Sequence, residues 1–154
     1  MGIEIEKKFL LKNDDWRKLA QGKEYRQGYL SSVKERTVRI RTIEDTGYLT
    51  IKGVSQGASR AEYEYVIPVD EANAMLDTLC EKPLIEKKRF KISYQGFIWE
   101  IDEFYGVNQG LIMAEVELAS ETQPFAKPEW IGVEVTQDSR YFNANLVHHP
   151  FSKW

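Results

Sequence analysis

Apolar and polar residues alternate with a period of two along most of the chain. Ile3-Glu4-Ile5-Glu6 opens the pattern and leads into Lys8 and Phe9. It returns at Val38-Arg39-Ile40-Arg41, Leu49-Thr50-Ile51-Lys52 and Glu62-Tyr63-Glu64-Tyr65-Val66-Ile67, then over 87–92, at Trp99-Glu100-Ile101-Asp102 and over 112–118. Alternation sends successive side chains to opposite faces, so each run predicts a strand with one apolar face. Asp45-Thr46-Gly47, Ser55-Gln56-Gly57, Gln95-Gly96 and Asn108-Gln109-Gly110 read as turns between them. Strands this close in sequence predict antiparallel neighbours. Helical spacing is rarer. Residues 70–80 predict one helix, with Asp70 as N-cap and Ala72, Met75, Leu76 and Leu79 as its apolar stripe. Residues 14–20 predict a short helix, and 138–147 a last one burying Tyr141, Phe142 and Leu146. The sum is an α+β, mostly-β chain, folded as a barrel or a strongly curved sheet.

Composition narrows this only a little. The 154 residues suit one domain, 1–154, and 42% apolar with 29% charged residues is an ordinary globular balance. With 21 basic against 24 acidic residues the net charge is −3, which disfavours nucleic acid as a partner. No run is apolar enough for a membrane helix or a signal peptide, and Glu6 stands where a myristoylation pattern wants Ser or Thr. A single cysteine, Cys80, excludes an internal disulfide and makes the reducing cytoplasm the expected location. Cys80 ends the apolar stripe of the 70–80 helix and reads as a buried structural thiol. His148 and His149 are adjacent beside Pro150 and share no face, so neither is expected to bind metal. Trp99, Phe104, Tyr105, Trp130 and Trp154 are expected to pack the core or its coverings rather than stack a base.

The polar faces carry the chemistry. Residues i and i+2 of a strand project the same way, about 7 Å apart. Six such pairs have a single sign: Glu4 with Glu6, Arg39 with Arg41, Glu62 with Glu64, Lys87 with Arg89, Glu100 with Asp102, and Glu115 with Glu117. Like charges this close destabilise a sheet, and a solvated face normally mixes signs. One Glu-x-Glu alone is ordinarily a wet surface. Six pairs in one short chain make sense if the charged faces converge on an enclosed cavity, acidic pairs holding a divalent metal and basic pairs an anion. Hard cations take carboxylate and phosphate oxygens, and Arg and Lys suit phosphate. The apolar faces then point outward, and helices must cover some of them.

The chain also resembles a known family. Glu4-x-Glu6-x-Lys8 is similar to the ExExK signature of the triphosphate tunnel metalloenzymes, or CYTH domain family. The likeness continues in order through Gln27-Gly28-Tyr29-Leu30, the Arg39 and Arg41 pair, Leu49-Thr50-Ile51-Lys52-Gly53, Glu62-Tyr63-Glu64 and Lys87-x-Arg89. It ends with Trp99-Glu100-Ile101-Asp102-x-Phe104, Ala114-Glu115-Val116-Glu117-Leu118 and Glu134-Val135-Thr136-x-Asp138-x-Arg140-Tyr141. The resemblance implies an eight-stranded antiparallel β-barrel tunnel with Mg²⁺ or Mn²⁺ and a small triphosphate inside. It implies metal ligation by Glu4, Glu6, Glu115 and Glu117, with Glu117 favoured over Glu115. It implies a phosphate clamp of Lys8, Arg39, Arg41, Lys52, Lys87 and Arg89, joined by Lys91 on the same face and by Arg140 on a closing helix. Glu62, Glu64, Glu100 and Asp102 become lumen acids that orient the cations or touch a second metal. Attack by water would be assisted by Glu115 or Glu117, or by Lys8 beside Tyr29 acting as a base of depressed pKa.

The leading expectation is hydrolysis of inorganic tripolyphosphate to pyrophosphate and phosphate, since no insertion offers room for a large nucleoside or RNA chain. The alternatives are an adenylate cyclase or a nucleoside or thiamine triphosphatase of the same fold, and a non-catalytic polyphosphate or organophosphate binder. A lipocalin-type carrier would need the opposite alternation. Oligomeric state, including a homodimer, is left open.

Overall fold

The computed structural model describes residues 2–154. The expected strands form, with two more. They are β1 (Ile3–Leu11), β2 (Lys23–Ser31), β3 (Arg36–Ile43), β4 (Thr46–Gly53), β5 (Ser59–Ile67), β6 (Ile85–Tyr94), β7 (Phe97–Phe104), β8 (Ile112–Glu117) and β9 (Ile131–Glu134). Hydrogen bonding runs β5-β4-β3-β2-β6-β7-β8-β1, all antiparallel, and β5 pairs back onto β1 to close an eight-stranded barrel. Closure uses only the start of β1: Ile3, Glu4 and Ile5 lie opposite Ala61, Arg60 and Ser59. Farther along, β9 takes over the edge that β5 has left, with Phe9 opposite Glu134 and Leu11 opposite Ile131.

The barrel is turned inside out in polarity, as the alternation predicts. Most of the core lies outside the ring. Phe9, Phe90, Ile92, Trp99, Ile101, Ala114 and Val116 form one sheltered outer face with Trp16, Leu118, Trp130 and Ile131 laid over it. A second outer cluster packs Ile40 against α1 (Val69–Thr78) through Ala72, Leu76 and Cys80. Not all of the outer face is covered: Ile3, Ile51, Tyr63 and Tyr65 remain exposed, as do Tyr105 and Trp154, which were expected to be buried.

Several boundaries differ from expectation. Pro68, not Asp70, precedes α1; Asp70 lies in its first turn, and Leu79 is exposed. The β3–β4 turn falls at Glu44–Asp45, so Thr46 and Gly47 already belong to β4. Residues 14–20 make only a 3₁₀ turn, Asp15–Lys18. The expected last helix breaks into a 3₁₀ turn, Ser139–Tyr141, and a short α2, Asn143–His148. The Asp138 side chain accepts from the Arg140 N–H and fixes that turn. No helix among the described residues is long and apolar enough to cross a membrane.

Candidate active site

Residues directly opposite in an antiparallel ladder share a face, and the register places nearly every candidate residue in the bore. Glu6 and Lys8 of β1 face Glu117 and Glu115 of β8. Glu100 and Asp102 of β7 face Lys91 and Arg89 of β6. Lys52 of β4 faces Glu62 of β5, and Arg39 and Arg41 of β3 face Tyr29 and Gln27 of β2. All of these but Gln27, Lys91 and Asp102 line a cavity of about 470 Å³, where Glu4, Lys34, Arg60, Glu64 and Lys87 join them, so that eight basic and seven acidic side chains meet. One end is apolar. There Tyr29, Ile85, Phe104 and Met113 pack against Tyr141, Leu146 and Val147, so α2 and its preceding turn stopper that end.

Charge in the bore is sorted into linked pairs. The Lys8 ammonium donates to Glu115 at 2.7 Å and to Glu6 at 3.1 Å. Burial works against that ammonium, but Glu115 and Glu6 outweigh it and hold its pKa above the usual lysine value. Lys52 donates to both Glu4 oxygens at 3.0 Å, and Arg60 adds a contact at 3.4 Å. Arg89 grips Asp102 with two hydrogen bonds, 2.7 and 2.8 Å, and reaches Glu115 and Glu100 at 3.4 Å. Lys87 lies 2.8 Å from Asp102, yet burial and the Arg89 charge push its pKa down to about 8.

Two groups in the bore are only partly compensated. Arg39 and Arg41 share one carboxylate, Glu64, at 3.6 and 3.4 Å, and the Nε–H of each is buried with no acceptor. Burial, with Arg39 and Arg89 nearby, lowers the Arg41 pKa to about 10. On the other wall, Glu6 and Glu117 stand opposite one another with the same sign. Burial raises the Glu6 pKa, helped by Glu115 and Glu4. Burial likewise raises that of Glu117, helped by Glu4, Glu62 and Glu100. One wall therefore asks for an anion and the other for a cation.

Some expectations require correction. Arg140 does not reach the bore: its side chain is 53% exposed, paired with Asp138 and stacked on Trp154. Lys91 is also largely outside, touching only Glu100 at 3.7 Å. Of the four expected metal ligands, Glu4 is held by Lys52 and Arg60, Glu6 by Lys8, and Glu115 by Lys8 and Arg89, while Glu117 alone has no cationic partner among the described residues; Asp102 is taken up by Lys87 and Arg89. Lys8 and Tyr29 do not make a base of depressed pKa. Lys8 is shifted upward, and burial raises the Tyr29 pKa despite Arg39, Arg60 and Lys8 nearby. Four residues at the site were not anticipated, one of them Lys34, an exposed side chain of the cavity lining. Arg60 is legible afterwards, since it continues the Glu62 and Glu64 face two residues upstream. Tyr25, whose ring lies between the Arg41 and Arg89 guanidiniums at 5.3 and 5.0 Å, and Asn143 of α2 carry no sequence signal.

Among the described residues, no three Asp, Glu, His or Cys side chains already form a metal cage. The donor set nevertheless suits a hard cation: Glu4, Glu6 and Glu117 offer carboxylate oxygens, and Mg²⁺ commonly takes one or two of these with substrate phosphates and water.

A closed antiparallel barrel whose bore is lined by paired cations and carboxylates defines a class of tunnel protein. The CYTH domain family matches residues 2–151, and the chain belongs to that family. It is 56% identical to an inorganic triphosphatase of Acetivibrio thermocellus over 154 residues, covering 100% of this chain and 99% of the relative. It is 37% identical to an inorganic triphosphatase of Nitrosomonas europaea over 148 residues, covering 94% and 96% of the two chains. A crystal structure of an inorganic triphosphatase superposes with a TM-score of 0.64 at 32% identity, covering 93% of this chain and 96% of that one.

Proposed function

We propose that residues 1–154 act as one catalytic domain, an inorganic triphosphatase that hydrolyses tripolyphosphate to pyrophosphate and phosphate with Mg²⁺ or Mn²⁺. The two full-length relatives of that name support the activity. The observation that carries the site is the pair of buried arginines, Arg39 and Arg41, whose Nε–H groups have no protein acceptor. An unsatisfied buried donor costs about 1–3 kcal/mol, and a phosphate oxygen relieves it.

On this reading Lys8, Arg39, Arg41, Lys52, Lys87 and Arg89 clamp the phosphates, joined by Arg60. Glu64, Glu115 and Asp102 hold those cations in place. Glu4, Glu6 and Glu117 are the proposed ligands of Mg²⁺ or Mn²⁺, which when bound would supply Lewis-acid assistance. Phosphoryl transfer is catalysed mainly by positioning and by stabilising charge. The clamp does both: it aligns the chain of phosphates and neutralises charge growing on the pyrophosphate leaving group. Lys8, held protonated, serves here as a clamp and not as a base. Glu117, open to the bore, orients the attacking water and accepts its proton as the new P–O bond forms and the bridging P–O bond breaks. The unpaired, buried Cys80 suits a reducing compartment, and cytoplasmic location is part of the proposal.

The test is phosphate release from tripolyphosphate, pyrophosphate, ATP and thiamine triphosphate with Mg²⁺, Mn²⁺ or EDTA. Tripolyphosphate should be turned over fastest, with either metal, and EDTA should abolish release. Cyclic AMP as the main product with ATP would make the protein a cyclase instead, and tight binding without turnover would make it a carrier.

A further inference from the structure

The stopper at the apolar end does more than fill space. Its α2 begins at Asn143, and the Asn143 side chain lines the same cavity as the cations. The Lys87 ammonium donates to Asn143 Oδ1 at 3.2 Å, and Gln27 Nε2 donates to the same oxygen at 3.4 Å. On its other side Lys87 lies 2.8 Å from Asp102 Oδ2, an oxygen already accepting from Arg89. The Lys87 side chain is only 1% exposed, so its charge depends on the groups packed around it. An ammonium has three N–H donors. Asp102 and Asn143 account for two, and the third has no acceptor among the described residues.

We propose that Asn143 is a positioning residue for the phosphate site: through its side-chain oxygen the C-terminal helix fixes the Lys87 ammonium, as a charged donor, at the inner end of the clamp. This rests on the proposed reading of Lys87 as a phosphate ligand. Around Lys87, Asp102 of β7 and Glu115 of β8 favour its charge, Arg89 of its own strand opposes it, and Tyr25 of β2 and Phe104 of β7 bring no charge. Asp102 is shared with Arg89, so a neutral acceptor that adds no further carboxylate to the bore is well suited to hold Lys87.

The sign of the effect follows. Lys87 is charged below about pH 8 and loses its charge as pH rises through that value. Its discharge should appear as an alkaline fall in kcat/KM for tripolyphosphate, which reports groups of the free enzyme. Asn143→Ala removes an acceptor that favours the ammonium, so the fall should move to lower pH by about one unit. Asn143→Asp keeps an acceptor and adds charge, so the fall should move to higher pH. The same midpoints are read directly, on metal-free protein, from the ¹³Cε shift of Lys87 in lysine-labelled protein. Because Asp is well tolerated in a first helical turn, that variant tests the idea even if the alanine protein does not fold. Unmoved midpoints in the folded variants, whatever happens to Tm, would make Asn143 a purely structural start of helix and overturn the proposal. Lys87→Met separates the two readings. Wild-type turnover in that variant removes Lys87 from the clamp. Impaired turnover with unmoved Asn143 midpoints removes only the role of Asn143.

Discussion

At the scale of single residues, the bore is held in tension by its arginines. Arg39 and Arg41 sit two apart on β3, share Glu64, and bury donors that no protein atom accepts from. Such groups destabilise the empty protein and improve binding of an anion, because desolvation is already complete before the ligand arrives. Arg39→Ala should therefore separate function from stability. It should lower kcat/KM for tripolyphosphate by at least tenfold, about 1.4 kcal/mol of transition-state binding. It should leave the urea midpoint unchanged or raised, since Arg41 loses a like-charged neighbour. Near-wild-type turnover would remove Arg39 from the clamp, and a clearly lowered midpoint would show that its guanidinium stabilises the fold.

At the scale of elements, the working face and the stabilising face of each strand are opposite sides of one alternation. Leu76 of α1 is fully buried against Ile40 and Ala72, outside the ring and away from every lumen charge. Leu76→Ala should cost about 2–5 kcal/mol in equilibrium unfolding while kcat/KM at a permissive temperature stays as in wild type. A kinetic loss without a stability loss would mean that α1 shapes the bore. The same division explains what could be read from the sequence. Ile3-Glu4-Ile5-Glu6 and Trp99-Glu100-Ile101-Asp102 announce both a strand and a site, because charge faces in and hydrocarbon faces out. β2 escapes that reading because it is polar on both sides. Tyr25, Gln27 and Tyr29 are on its inward face, while Arg26 turns outward to hydrogen-bond Asn73 of α1. Gly28 sits where a Cβ would come within 2.6 Å of Leu84, so the strand tolerates no apolar side chain there. β9 is four residues long and gives no period to detect. Arg140 was misplaced for another reason: past the strands, a 3₁₀ turn rotates side chains by an amount that spacing does not encode, and Asp138 captured the guanidinium.

At the scale of the whole molecule, the ring is closed around opposite charges that pair mostly along one strand or between neighbouring strands. With eight basic and seven acidic side chains lining the cavity, the empty bore is nearly neutral. A triphosphate brings about four to five negative charges near neutral pH. It cannot be held by net charge alone. On the proposed reading a divalent cation carries part of the balance, beside Glu117, which has no cationic partner among the described residues, and Glu6, which shares Lys8 with Glu115. Substrate and metal should thus stabilise the fold jointly more than either does alone. Ligand at a hundredfold excess over Kd adds about 2.7 kcal/mol. For a chain of this size that corresponds to a rise in Tm of about 5–10 °C. Calorimetry with imidotriphosphate, a tripolyphosphate analogue whose P–N–P bridges resist hydrolysis, with Mg²⁺, and with both, should show the large rise only for the pair. An equal rise with the analogue in EDTA would mean that the cationic wall alone balances the anion and that the carboxylate wall serves some other purpose. Loss of the paired effect in Arg39→Ala, with the Mg²⁺ effect intact, would locate the anion on the β3 wall and the cation opposite it.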